Sequence, residues 1–157
     1  MVILGIDPGS TRIGYGLVES MGGSLLYHEG GLLSAPQTSV GGERLLAIQR
    51  DLDDLLQRTR PERVGIEKLF FSRNRRTALP VAEARGVIVA TVLRASIPLV
   101  ELTPSEVKLS VTGDGQATKE GVAKMVRLLL KLPPQKFIDD VTDAIAIAIA
   151  ASGSRWK

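Results

Sequence analysis

The chain opens on Val2-Ile3-Leu4-Gly5-Ile6, a continuous apolar run that stops at Asp7-Pro8-Gly9, and this start constrains the fold more than any other segment. So short an apolar run, closed by a turn signal, is a buried strand. Gly14 to Glu19 reads as a second strand and Leu25 to Leu33 as a third, with Met21-Gly22-Gly23 as the hairpin between them. The opening third is therefore an antiparallel meander. Beyond a polar loop, Leu45, Ile48, Leu52, Leu55 and Leu56 recur at helical spacing until Pro61, and Arg63 to Lys68 gives a fourth strand. Asn74 to Ala95 reads as a long helix in which Pro80 marks the true first turn or a kink. Leu99 to Leu102 is a fifth strand. Thr103-Pro104-Ser105-Glu106 combines capping-box spacing with proline at the first helical position, so a short helix starts there and Gly113-Asp114-Gly115 breaks it. Two further helices follow, over Lys119 to Lys131 and from about Asp139 to Ala151.

A meander joined to strands that alternate with helices describes an α/β fold: a five-stranded mixed sheet, three meander strands plus two parallel strands, with helices on both faces. A chain of 157 residues buries one sizeable core and not two, so the expectation is one domain over residues 1–152 and a flexible tail over 153–157.

Composition removes several function classes. With no cysteine there is no disulfide scaffold, thiolate metal site or cysteine nucleophile. The N-terminal apolar run has no basic leader and is interrupted by an acid, and the apolar stretch Ala144 to Ala151 is far short of a bilayer span, so we expect a cytoplasmic protein with no membrane partner. A net charge of +3 is compatible with a polyanion without demanding one. The only histidine, His28, falls in the third strand away from the acids and reads as structural. Gly113 to Thr118 lacks the spacing of a phosphate-binding loop and carries no nucleotide role.

Four acids stand where chemistry can use them. Asp7 ends the first strand, Glu67 ends the fourth, and Asp140 with Asp143 open the last helix. In an open α/β sheet the ligand crevice lies beyond the carboxyl ends of the strands, so acids leaving neighbouring strands converge there. Several carboxylates in one crevice repel each other unless a cation sits among them, and hard cations such as Mg²⁺ take oxygen ligands. Two such ions, one activating a water and the other stabilising a leaving oxygen, carry out metal-assisted phosphodiester cleavage. Each acid also has an ordinary explanation as a turn residue, a strand-end charge or a helix cap. Asp143 resists it best, because the apolar run that follows directly marks a buried helix. Helical spacing alone accepts either Asp139 or Asp140 as the partner of Asp143.

Several segments, taken in order, resemble the RuvC family of Holliday junction resolvases: Ile3-Leu4-Gly5-Ile6-Asp7-Pro8-Gly9-Ser10, Gly14-Tyr15-Gly16, Ile66-Glu67-Lys68-Leu69-Phe70, Glu83-Ala84-Arg85-Gly86-Val87, Pro104-Ser105-Glu106-Val107-Lys108, Lys124 to Leu129, and Asp140-Val141-Thr142-Asp143-Ala144 onward. The resemblance extends over nearly the whole chain. It implies an RNase H-like fold, a homodimer, and paired symmetric nicks in a four-way DNA junction during recombination and repair. It also implies metal-binding carboxylates at Asp7, Glu67, Asp140 and Asp143, two Mg²⁺ per site with Mn²⁺ able to substitute, and lysines near the scissile phosphate at Lys108 and Lys119. The family phrase Asp-x-x-Asp-Ala-x-Ala aligns Asp140 in preference to Asp139.

Phe70 falls on a family aromatic that stacks on junction bases. With Phe71, Arg73, Arg75 and Arg76 it forms the one dense mixture of aromatics and cations in the sequence, a composition suited to unstacked bases beside phosphates. The helix after this loop is apolar or small on more than one side, which the resemblance assigns to the dimer interface. A branch-migration complex of the RuvA and RuvB type is the further partner it implies. Competing readings are an actin-like ATPase or sugar kinase, for which the chain is too short, a catalytically silent junction binder, which would lack one of the acids, and a single-strand or RNA nuclease on the same fold.

Overall fold

The computed structural model describes residues 1–9, 12–33, 42–68, 75–133 and 137–153, with the backbone alone at 75–77. Ten elements follow one another: β1 (Val2–Pro8), β2 (Ile13–Met21), β3 (Ser24–Leu33), α1 (Gly42–Thr59), β4 (Arg63–Glu67), α2 (Arg75–Arg94), β5 (Leu99–Leu102), α3 (Pro104–Thr112), α4 (Lys119–Leu129) and α5 (Asp139–Gly153). The strands form one sheet in the order β3-β2-β1-β4-β5. β1, β2 and β3 are antiparallel neighbours, whereas β1–β4 and β4–β5 are parallel. This is the mixed sheet expected from the pattern. The β2–β3 hairpin turns on Gly22 and Gly23, both at positive φ (55° and 88°), the backbone that a two-residue hairpin of matching twist requires.

Alternation along the strands divides the core in two. Leu4, Ile6, Ile13, Leu17, Val64 and Ile66 point to the face covered by α1 and α2. Ile3 and Val18 point to the other face, where α3, α4 and α5 lie. α5 occupies the centre of that second face and is buried along most of its length, which explains why its sequence is apolar nearly all round. It lies unusually close to the sheet. The strand positions beneath it are Gly5, Gly14, Gly16 and Gly65, and a methyl group on any of them would collide with α5. At Gly5 it would meet the backbone of Ala144 and Ala148, at Gly14 the carbonyl of Asp140, at Gly16 the Ile145 side chain and backbone, and at Gly65 Ala151. Glycine here supplies room for the helix backbone to approach the strands.

Two sequence expectations need amendment. Pro80 lies inside α2, which starts at Arg75, so the proline stands in the second turn and not the first. Gly153 is the last residue of α5, and the rest of the expected tail lies outside the described residues. α3 follows its sequence signature closely. The Thr103 hydroxyl accepts the Glu106 amide (3.1 Å), the Glu106 carboxylate accepts the Thr103 amide (2.7 Å), and Gly113 closes the helix at φ 79°.

The glycine row yields a direct test. Gly5→Ala should lose about 3 kcal/mol or more in urea denaturation, because the added carbon meets helix backbone that cannot rotate away. A loss below about 1 kcal/mol would mean that α5 does not sit as close as described.

Candidate active site

Strand pairing brings the first two acids together. Ile6↔Ile66 is the last paired couple of the parallel β1–β4 ladder, so the next residues, Asp7 and Glu67, leave adjacent strands side by side at their carboxyl ends. Gly5 and Gly65 face α5, and residues two further on face the same way, so both carboxylates are presented to that helix. α5 supplies the other two. Its N-terminal turn passes over Gly14, and Asp140 and Asp143, three residues apart, share one side of it.

The charges register this convergence. The Asp7 carboxyl is pushed up from its ordinary 3.8 to about 7, chiefly by burial and then by repulsion from Glu67, Asp143 and Asp140, against which Lys119 pulls it down. Glu67 is also raised, by burial first and then by Asp143, with Lys108 opposing. Lys119, the first residue of α4, holds its proton more tightly than usual because it hydrogen-bonds Asp143, with Nζ 2.9 Å from Oδ2. Lys108 extends from α3, whose capping box fixes its orientation. Glu67, Asp143, Lys108 and Lys119 border a cleft of about 210 Å³ whose floor is apolar, made by Val107, Val122 and other small side chains of α3, α4 and α5.

Asp140 carries a feature that sequence reasoning misses. Its Oδ2 is buried without a hydrogen-bond donor, although Arg12 Nε lies 3.0 Å away as an ion pair. Such a contact supplies charge without aiming an N–H at the oxygen. The atom is thus an orphaned anionic acceptor beside three other carboxylates, the donor chemistry that suits a hard divalent cation. The acids converge without closing into a ready-made cage: among the described residues no group of three acidic or histidine side chains is already arranged to hold an ion. Arg12 sits directly before β2, where no periodicity could reveal its partner.

The remaining sequence candidates sort by position. Asp139 is 69% exposed and 4.0 Å from Lys119, on the outer side of the helix, whereas the Asp140 side chain is only 24% exposed and faces Asp7. His28 pairs with Glu19 at 2.8 Å, remote from the acids. Phe70, Phe71 and Arg73 lie outside the described residues. Arg75 and Arg76 open α2, and their side chains are likewise outside the description.

Comparison with known proteins accords with this arrangement. A family model described as crossover junction endodeoxyribonuclease RuvC matches residues 3–151. The chain belongs to the RuvC family. It is 42% identical over 161 residues to the RuvC of Moorella thermoacetica, covering 100% of this chain and 95% of that protein. To the RuvC of Heliobacterium modesticaldum it is 45% identical over 154 residues, covering 98% and 95%. Among solved structures, T. thermophilus RuvC in complex with Holliday junction substrate superposes with a TM-score of 0.90 at 34% identity, over 97% of this chain and 93% of that one. The fold is RNase H-like, as the resemblance implied. A yeast mitochondrial Holliday junction resolvase, 16% identical with a TM-score of 0.67, shares that fold.

The raised Asp7 carboxyl has a thermodynamic signature. A carboxyl whose value in the folded state lies above that of the unfolded chain favours folding at low pH, and the advantage is lost as pH climbs from about 4 through 7. Asp7→Asn escapes that loss. In EDTA at pH 8 the variant should therefore be more stable than the wild type, by at most on the order of 4 kcal/mol, and the gap should close as pH falls toward 4. Calorimetric melts that coincide at both ends of this range would refute the raised carboxyl at Asp7.

Proposed function

We propose that this RuvC family member is a divalent-cation-dependent endonuclease that resolves four-way DNA junctions by hydrolysing one phosphodiester in each of two opposed strands. The observation that carries the reading is the meeting of four carboxylates from three separate elements, with two lysines, at the carboxyl edge of the sheet. We assign Asp7, Glu67, Asp140 and Asp143 as ligands of two Mg²⁺, with Mn²⁺ able to substitute. When bound, these ions supply water activation and charge neutralisation for an in-line displacement.

The protein's own groups do the positioning. Asp7 and Glu67 project from strands fixed by pairing on both sides and Asp140 and Asp143 from a helix locked to the sheet, so the acids reorganise little when a cation arrives. Lys108 and Lys119 are the groups we assign to the scissile phosphate, where a fixed ammonium stabilises the negative charge that grows in the transition state. Lys119 is held by Asp143 in the DNA-free protein. With Asp143 engaged as a ligand, its contact with Lys119 would weaken and the Lys119 ammonium would be available to the phosphate.

Two further assignments complete the reading. Phe70, Phe71, Arg73, Arg75 and Arg76 form the junction-contacting segment, on composition. α2 forms a two-fold interface: its exposed side carries Leu79, Gly86, Ala90 and Leu93, opposite the buried Ala84, Ile88 and Val92, and the two exposed leucines are 65% and 57% accessible. A dimer would carry two identical sites to a two-fold junction. One domain over residues 1–152 suffices for this activity. The proposed setting is recombinational repair in the cytoplasm, with a branch-migration complex of the RuvA and RuvB type as partner.

The decisive experiment incubates the protein with a synthetic four-way junction and Mg²⁺. Wild type should give paired nicks, and Asp7→Asn should give none while still binding the junction, since removing a negative charge near phosphates does not weaken electrostatic attachment. Lys119→Ala should lower the single-turnover rate about 10²-fold with junction affinity changed much less. An Asp7→Asn variant that cuts at the wild-type rate would overturn the assignment. Leu93→Asp should convert the dimer to monomer in sedimentation, and an unchanged dimer would place the interface elsewhere.

A further inference from the structure

The carboxyl end of β4 carries a backbone acceptor that the sheet cannot satisfy. In this parallel ladder each residue facing a neighbour donates to the carbonyl before its partner and accepts from the amide after it, as the bond from Val64 N–H to the Pro98 carbonyl (2.9 Å) fixes for β4 and β5. Lys68 N–H continues that series by donating to Leu102 (2.7 Å). Residues 64, 66 and 68 therefore face β5, and Glu67 faces β1. With Ile6↔Ile66 in register, the amide due to reach the Glu67 carbonyl is that of residue 8. Residue 8 is proline, which has no N–H. The last rung of the central ladder is missing at the residue whose side chain enters the acidic cluster.

A side chain replaces that rung. Arg85, on α2, donates from Nε to the Glu67 carbonyl at 3.2 Å, and its guanidinium pairs with the Glu101 carboxylate on β5. The arginine side chain is only 18% exposed. Its planar fork serves two acceptors on adjacent strands at once, a geometry that one ammonium cannot reproduce. Nothing else in the structure ties α2 to the end of β4 in this way among the described residues.

We propose that Arg85 is a positioning residue for Glu67: by supplying the hydrogen bond that Pro8 withholds, it fixes the backbone from which Glu67 reaches the divalent cation. The proposal rests on the reading of Glu67 as a ligand. Ligand supports of this kind are worth about ten- to a hundredfold in metal affinity. Pro8 and Arg85 thus act as a pair, the first removing a sheet bond and the second restoring it from a helix, so the end of β4 is held by a contact that α2 controls.

The test is calorimetric titration of the DNA-free full chain with Mn²⁺. Arg85→Met should bind the cation about tenfold more weakly than wild type while keeping a cooperative melt. Adding Pro8→Ala to that variant returns an amide to the vacant rung and should recover most of the loss, a rescue that a merely structural role for the arginine would not give. Should Arg85→Met fail to fold, Arg85→Lys, which keeps the charge beside Glu101, carries the same expected loss and the same rescue. Wild-type titration by the arginine variant, or a loss that Pro8→Ala leaves untouched, overturns the proposal. Glu67→Gln is run alongside: if it binds Mn²⁺ as wild type does, the ligand role of Glu67 fails, independently of the arginine.

Discussion

Contact between the backbone of α5 and the central strands is the constraint on which the rest of the molecule depends. Side chains ordinarily hold a helix well away from a sheet, and here glycines at 5, 14, 16 and 65 remove that spacer. The approach has an energetic and a chemical result. Energetically, small α5 residues such as Ala144, Ala148 and Ala151 pack directly against the strand glycines and are fully buried, which is how a helix of modest side chains contributes to the core. Chemically, it brings the first turns of α5 within reach of the strand ends, so that Asp140 and Asp143 join Asp7 and Glu67. A helix lifted by one methyl layer would carry the same residues and no shared site.

The site so assembled is electrostatically unfavourable in isolation. Burial and mutual repulsion raise Asp7 and Glu67, and the chain counters with its own cations, Lys119 on Asp143, Lys108 near Glu67 and Arg12 beside Asp140. These counter-charges lie at the rim, where they are partly solvated and exchangeable, while the acids are more deeply set. In the proposed function a divalent ion would displace these internal substitutes, since a compact double charge interacts with several carboxylates at once.

How much of this was legible in the sequence varies with the range of the interaction. Local signals read well: the hairpin at Gly22-Gly23, the capping box of α3 and the five strands all appear where pattern and turn chemistry put them. The first-turn reading of Pro80 failed because the helix begins one turn earlier and carries the proline at the loss of one backbone hydrogen bond, so the proline does not set the start. The glycine row was opaque, since glycine in a strand signals a bulge or a close approach without naming what approaches. Helical spacing left Asp139 and Asp140 equivalent, and only the docking of α5 separates the outward one from the inward one. Arg12 and Arg85 were invisible as partners of the site because their contacts span 128 residues in one case and join a helix to a strand end in the other.

The order of the acids along the chain has a consequence for biosynthesis. Positions 7 and 67 meet once β1 and β4 pair, but 140 and 143 come on the helix that is synthesised after every strand. A nascent or truncated polypeptide thus emerges with half of the charge set and an uncovered sheet face. Under the proposed ligand assignment, strand scission by stray folding intermediates is then avoided by topology, because the late helix that completes the core is also the one that completes the acidic cluster.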